Sequence, residues 1–312
     1  MQGLTEVLFR RSYEQCFPHA IACAVSPFIS LTHGNLADAW KKIGDVLPEN
    51  NEHSIAVVPQ VLGREADEFV QLANRLAAVG HGEVNWNIGC PMRRVAGKHR
   101  GSGILPYPDE IRAILDHVVP RLQGIRLSVK MRLGHVDRNE IFRIIPILNA
   151  YPLASVTIHP RTGKQQYTGA VDLDTFGRAL EQLRHPVIYN GDLCTSGDCA
   201  AIRNRFPQVA DLMIGRGILY DPLLPLKIAG VDVGTAEQQR RHARLFVDTL
   251  YTNILTACPC DEARIRKIKE YWTLLYRSLG LTEATARHLL HAPTLSEVFA
   301  ELHKVEKMVE AQ

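Results

Sequence analysis

Glu83-Val84-Asn85-Trp86-Asn87-Ile88-Gly89-Cys90-Pro91 reads as a short strand that runs out into a tight loop. Gly89 and Pro91 flank the cysteine, which suits a turn better than a strand interior. Arg93, Arg94, Lys98, His99 and Arg100 follow at once, broken by Gly97, Gly101 and Gly103. A thiol at the C-terminal end of a strand, beside a basic loop loosened by glycine, fits chemistry on an anionic substrate. A lone cysteine is otherwise more often a small buried hydrophobe. The functional reading therefore depends on whether other strand ends carry polar groups as well.

Working outward, apolar runs of strand length recur at Ala20–Val25, Ser54–Val61, Glu83–Cys90, Arg126–Arg132, Ser155–His159, Pro186–Asn190 and Asp211–Gly215. Near-continuous apolar strands are buried on both faces, as in parallel sheets. Helical patterns lie between them. In Ala66–Val79 the apolar residues Phe69, Leu72, Ala73, Leu76 and Val79 keep a 3.6-residue period. Asp109–Val118, Glu140–Leu148, Leu173–Leu183 and Ser196–Phe206 repeat the theme. A strand every roughly 30 residues is the length of a strand plus a crossover helix. The fold class is α/β, a TIM (β/α)8 barrel followed by a smaller all-helical domain. Seven strands are one short of closure. The missing one is expected before the helix at Leu4–Gln15, so Met1-Gln2-Gly3 reads as the loop at the end of a strand that lies upstream. Either the true start precedes Met1 or the barrel is incomplete. The first is favoured, because every later motif is intact.

From about Val233 the alternation stops. Glu237–Thr256, Asp261–Ser278, Thr282–His291 and Leu295–Val309 read as helices broken at Pro259, Gly280 and Pro293. The division expected is a barrel over residues 1–232, with its first strand truncated, and a helical domain over 233–312.

In the 312 residues, 46% hydrophobic and 22% charged content is ordinary for a soluble globular protein, and a net charge of +3 permits an anionic partner without demanding one. No apolar run approaches the ~20 residues of a membrane helix. No secretory signal is visible. Seven scattered cysteines do not form a disulfide framework, and Cys258-Pro259-Cys260 lacks the second pair or histidines that a zinc site needs. The expected compartment is the cytoplasm.

In such a barrel the chemistry lies at the C-terminal ends of the strands. The polar residues there are Gln60, Asn87, Cys90, Lys130, Arg132, His159, Arg161, Asn190, Asp192 and Arg216. Each alone has a bland explanation: Lys130 as a snorkelling lysine, His159 as a satisfied core histidine, Asn190 as a turn former. Their recurrence at one mouth does not. Asn190-Gly191-Asp192 and Gly215-Arg216-Gly217 have phosphate character, since the last two barrel loops are the usual phosphate site of this fold.

Met1-Gln2-Gly3, Gln60, Asn87-Ile88-Gly89-Cys90-Pro91, Ser128-Val129-Lys130-Met131-Arg132-Leu133-Gly134, His159-Pro160-Arg161-Thr162, Tyr167-Thr168-Gly169, Asn190-Gly191-Asp192 and Gly215-Arg216-Gly217 occur in that order. The ordered set resembles the motifs of the tRNA-dihydrouridine synthases, and reaches the tail through Lys267-Ile268-Lys269-Glu270-Tyr271-Trp272. Length and the single helical tail are similar to bacterial members, of the C-type branch.

The resemblance implies reduction of the C5–C6 bond of particular tRNA uridines to 5,6-dihydrouridine. NADPH (or NADH) reduces FMN, reduced FMN gives hydride to C6, and Cys90 protonates C5. It implies that Met1, Gln2, Gln60, Lys130, His159, Asn190, Gly191, Asp192, Gly215 and Arg216 hold the flavin. Lys130 and Gln60 would meet its ring. Asn87 and Tyr167 would face the substrate base, and Lys267 and Lys269 would touch tRNA. No metal and no membrane enter this scheme, and a monomer is expected. The chain departs from the family in two places. The strand and Ala-Pro dipeptide before the Met-x-Gly motif are absent, and Cys23-Ala24-Val25-Ser26-Pro27-Phe28 lacks an acidic residue that many members carry. Two rival readings remain: a related FMN barrel acting on a free pyrimidine base, and a catalytically impaired RNA-binding barrel. The basic loop and basic tail argue against the first, since a free base needs neither.

Overall fold

In the computed structural model, which describes residues 1–51 and 54–310, seven parallel strands follow one another across a single sheet in chain order. They are β1 (Cys23–Ser30), β2 (Ala56–Leu62), β3 (Glu83–Ile88), β4 (Arg126–Gly134), β5 (Val156–Thr162), β6 (Val187–Tyr189) and β7 (Asp211–Leu212). α1 (Val7–Cys16) precedes the sheet. The helices α2 (Ala66–Ala78), α3 (Pro108–Val118), α4 (Glu140–Leu148), α5 (Leu173–Gln182) and α6 (Ser196–Arg205) form the crossovers from β2 to β7. This is a (β/α)8-type barrel in which, among the described residues, no strand lies between β7 and β1.

The helices form where the sequence pattern asks for them. α2 buries Phe69, Leu72, Ala73 and Leu76 along one stripe and carries Asp67 and Glu68 in its first turn, complementing the helix dipole. α6 opens on a capping box, Thr195 accepting from the Asp198 amide while Asp198 reaches back to the Thr195 amide.

β1 lies three to five residues later than the expected run at Ala20–Val25. Its pairing with β2 slips between Val25 and Phe28, around Pro27. Proline donates no ladder hydrogen bond and is tolerated at bulges and on edge strands, and β1 is an edge of the described sheet. The strand thus continues through a residue that reads as a stop.

The two faces of the sheet differ in chemistry. Val84, Trp86, Ile88, Leu127, Val129 and Met131 join the helices in one apolar core. The alternate positions are Asn85 and Asn87 on β3, Ser128, Lys130 and Arg132 on β4, and Thr157, His159 and Arg161 on β5. Strand register puts Gln60 beside Asn85 and Asn85 beside Ser128, then Asn87 beside Lys130, and Arg132 beside His159. The result is a polar face built in rows.

The tail comprises α7 (Ala236–Ala257), α8 (Asp261–Leu275), α9 (Glu283–His291) and α10 (Leu295–Glu310). α7 starts on a second capping box, between Thr235 and Gln238. Beneath the tail lies a second apolar core that also takes in Phe9, Tyr13 and Phe17 of the N-terminal segment. Phe246 meets the rings of Phe9 and Tyr13 edge-on at 5.5 and 5.7 Å. Among the described residues no helix is long and apolar enough to cross a membrane.

Candidate active site

Cys90 sits just beyond β3, buried, on a loop held from four sides. Asn87 Oδ1 accepts from the amides of Gly89 and Cys90, both at 3.0 Å. The Cys90 carbonyl accepts from the Ser102 amide at 2.9 Å and from Ser102 Oγ at 3.1 Å. Arg132 Nε donates to the Gly89 carbonyl at 3.0 Å. Gly101 closes the loop at φ +55, where an added Cβ would lie 2.6 Å from the Cys90 carbonyl oxygen. Glycine is the residue that both that dihedral and that close approach permit. The Met92 amide donates to the sulfur, yet burial outweighs it and pushes the thiol pKa up. Cys90 therefore keeps its proton at neutral pH.

Below the thiol the polar rows bond to one another. Gln60 Nε2 donates to Asn85 Oδ1 at 2.8 Å, and Asn85 Nδ2 to Ser128 Oγ at 2.9 Å. Asn87 Nδ2 donates to Gln60 Oε1 at 2.7 Å. Lys130 is half-buried and donates to Asn190 Oδ1 at 2.9 Å. Burial, then the neighbouring Arg132 charge, lower its pKa to about 8. Asn190 is fixed in turn by donating to the Met213 carbonyl at 2.8 Å.

His159 is held to about 2 by burial and then by Arg132, Lys130, Arg161 and Arg216. It is a neutral imidazole. Arg161 Nη1 donates to its Nε2 at 3.2 Å, so the ring proton is on Nδ1. Arg161 also pairs with Asp192 through Nη1 at 2.9 Å, and Arg216 reaches the same carboxylate at 3.4 Å. Asp192 adopts φ +48, a left-handed conformation that short polar side chains tolerate. The backbone beside Gly215 is open, with nothing within 4 Å of an added Cβ. Tyr167, 56% exposed, lies between two guanidiniums, Arg132 at 5.3 Å and Arg216 at 5.0 Å from its ring centre.

Gln60, Asn87, Cys90, Lys130, His159, Asn190, Gly191, Asp192, Gly215, Arg216 and Tyr167 thus fall on the ends of successive strands. The Met1 backbone nitrogen lies near Lys130. Lys267 and Lys269 lie apart from these, on α8. Lys267 is 14% exposed and points inward, donating to the Gly3 carbonyl at 2.5 Å, Glu6 at 2.6 Å and Glu270 at 3.4 Å. Lys269 is half-buried and makes no hydrogen bond or ion pair among the described residues. In the basic loop, Arg93, Arg94 and Lys98 are exposed and likewise unpaired among the described residues. Arg100 differs from the expected outward-facing cation. It is buried and donates to the Leu31 carbonyl at 3.1 Å, because the chain turns inward there to reach Gly101.

Sequence reasoning missed Asn85, Ser128, Ser102 and the clamp role of Arg132, whose Nη1 also binds the carbonyls of Thr162 (2.8 Å) and Gln166 (2.6 Å). The period-2 signal was present for Asn85 and Ser128, since both sit two residues before an assigned residue on the same face. Nothing in the spacing marks Ser102.

The chain is similar to a set of known proteins. The family model described as dihydrouridine synthase (Dus) matches residues 1–274. A tRNA-dihydrouridine synthase B of Pasteurella multocida is 30% identical over 227 residues, covering 72% of this chain and 65% of that protein. A probable tRNA-dihydrouridine synthase of Rhizobium leguminosarum bv. phaseoli is 34% identical, covering 80% of this chain and 77% of that protein. A tRNA-dihydrouridine(16) synthase of Cupriavidus necator is 30% identical, covering 77% of this chain and 74% of that protein. The chain belongs to the dihydrouridine synthase family of enzymes.

Proposed function

We propose that the protein reduces the C5–C6 double bond of uridines in tRNA, with FMN bound in the barrel mouth, NADPH or NADH as reductant, and Cys90 as general acid. The observation that carries this is the meeting of a protonated, buried thiol with a surplus of cations at one mouth. Lys130, Arg132, Arg161 and Arg216 converge there, and among the described residues only the Asp192 carboxylate pairs with any of them. Such a donor set fits an anionic cofactor with a phosphate, the phosphate at Arg216 and the open backbone of Gly215, and the electron-rich ring edge at Lys130. Bound there, the flavin would supply the reducing equivalents for the double bond.

The side chains do the rest. Asn87 and Arg132 hold the Cys90 loop in place, so the thiol proton is delivered to C5 without rearrangement of the loop. Asn190, with its amide oxygen turned to Lys130, orients the lysine, and neutral His159 accepts from Arg161. Tyr167, exposed at the rim, offers a ring face to an unstacked base, which must leave its helix to reach the mouth. The unpaired cations Arg93, Arg94 and Lys98 beside the thiol favour a polyanion over a free pyrimidine. Residues 233–312, as a helical unit, would add the further tRNA contacts, Lys269 among them.

The test is direct. The purified protein should carry a yellow flavin and form dihydrouridine in tRNA from a strain lacking the gene. Turnover of free uracil or orotate without tRNA turnover would overturn the substrate, and absence of any flavin affinity would overturn the cofactor.

A further inference from the structure

Lys267 is a poor phosphate contact as it stands. An ammonium has three N–H donors, and here the Gly3 carbonyl, Glu6 and Glu270 take all three. The local balance is one cation against two carboxylates, which repels a phosphate. The ammonium also lies 5.3 Å from the ring centre of Tyr271.

Its acceptors belong to different parts of the chain. Glu270 is on α8 itself, Glu6 is the residue before α1, and Gly3 lies in the turn that begins the chain. That turn is pressed onto the tail. Gly3 has φ +76, and an added Cβ would lie 1.9 Å from Glu270 Oε1. Behind the clasp, Phe9 stacks on Tyr271 with ring centres 6.4 Å apart. Ahead of it, the Met1 carbonyl accepts from the amides of Leu4 and Thr5, both at 3.1 Å, and the Met1 backbone nitrogen lies near Lys130 at the mouth.

We infer that Lys267 is a positioning residue: it clasps the Met1–Gly3 turn to the helical tail, so that the turn forms one wall of the cofactor mouth. This rests on the flavin reading for its functional half only. The tail thereby helps to shape the mouth from behind, through a residue that the family resemblance assigns to tRNA.

Two measurements on the full-length protein test it. In flavin-free protein, hydrogen–deuterium exchange of the peptide over residues 1–8 should rise in Lys267→Met and return to the wild-type pattern in Lys267→Arg, which keeps the charge and donors. FMN affinity, read by fluorescence quenching, should fall about tenfold in Lys267→Met, the scale of one charge-assisted hydrogen bond, and recover in Lys267→Arg. Unchanged exchange in Lys267→Met would overturn the clasp, whatever the flavin result. Raised exchange with unchanged FMN affinity would overturn the wall. If the wild type itself does not bind FMN, the flavin reading fails, while the exchange comparison still decides the clasp.

Discussion

The loop segment from Arg93 to Arg100 carries four Lys or Arg residues and the segment from Arg264 to Arg277, most of it on α8, carries five, and the fold uses them differently. In the loop, Arg93, Arg94 and Lys98 project into solvent with no partner among the described residues. In the helix, Arg264 donates to Asp261 at 2.8 Å and to the Cys258 carbonyl at 3.2 Å. Arg277 lies over the Tyr220 ring at 4.4 Å, and Lys267 is clasped. Arg266 and Lys269 keep their charge unpaired there. A run of basic residues therefore does not measure the charge available to a polyanion. What counts is how many carboxylates and carbonyls the fold brings to each cation: among the described residues three of the four in the segment beside the thiol are unpaired, against two of the five in the other.

The largest effect separates chemistry from charge at the mouth. Cys90→Ala should lower dihydrouridine formation by about a thousandfold, the range of general-acid catalysis, with tRNA and flavin binding intact. Normal turnover in the variant would assign the proton to another group. Next, reversing Arg93, Arg94 and Lys98 to Glu should weaken tRNA binding by about a hundredfold at low salt and flatten its salt dependence by about two to three phosphate contacts. A larger loss on reversing Arg266 and Lys269 would invert the comparison between loop and helix.

A smaller effect concerns pH. Lys130 is held at about 8 in the folded protein, against an ordinary 10.5. Between those values the unfolded chain binds more protons than the folded one, so the contribution of Lys130 to stability rises as pH increases across the window. Its charge is lost over the same range, so FMN affinity should fall above pH 8. Lys130→Met should remove both trends; a wild-type flavin affinity that is flat from pH 7 to 10 would detach Lys130 from the cofactor. The smallest effect is expected at Arg264→Ala. Its ion pair with Asp261 is half-exposed and worth about 0–1 kcal/mol, and tRNA affinity should stay within about twofold of wild type. A fall comparable to that of the loop reversal would show that Arg264 leaves its pairing to meet RNA.

Much of the barrel was legible because its signals are local. Strand length, the apolar face and the Gly-Cys-Pro turn are read within about ten residues of chain. The pairing of Asn85 with Gln60 was within reach, since both follow from period 2 once the sheet is assumed parallel. The late end of β1 was hidden by Pro27, which stops a strand everywhere except at an edge or bulge. Lys267 and Arg100 were hidden for another reason. Their acceptors, Gly3, Glu6 and the Leu31 carbonyl, lie far away in sequence, and no spacing rule reaches that distance. The tail was read as a unit of its own for the same reason: its apolar stripes show that something is covered, not that Phe9 and Tyr13 are part of it.

That shared core has a consequence for how the protein is made. Tyr13 donates to the Pro222 carbonyl at 2.7 Å across 209 residues, and Asn253 donates to Ser12 at 2.8 Å across 241. On the ribosome, α1 emerges before α7 and α8, and its aromatic side chains lack that cover until both have been translated. At about 5–20 residues per second, that leaves a sticky N-terminal helix waiting for tens of seconds. During synthesis the chain therefore exposes apolar surface that the folded protein covers. A ribosome stalled before residue 246 would hold a nascent chain with Phe9 and Tyr13 still uncovered by their partner ring.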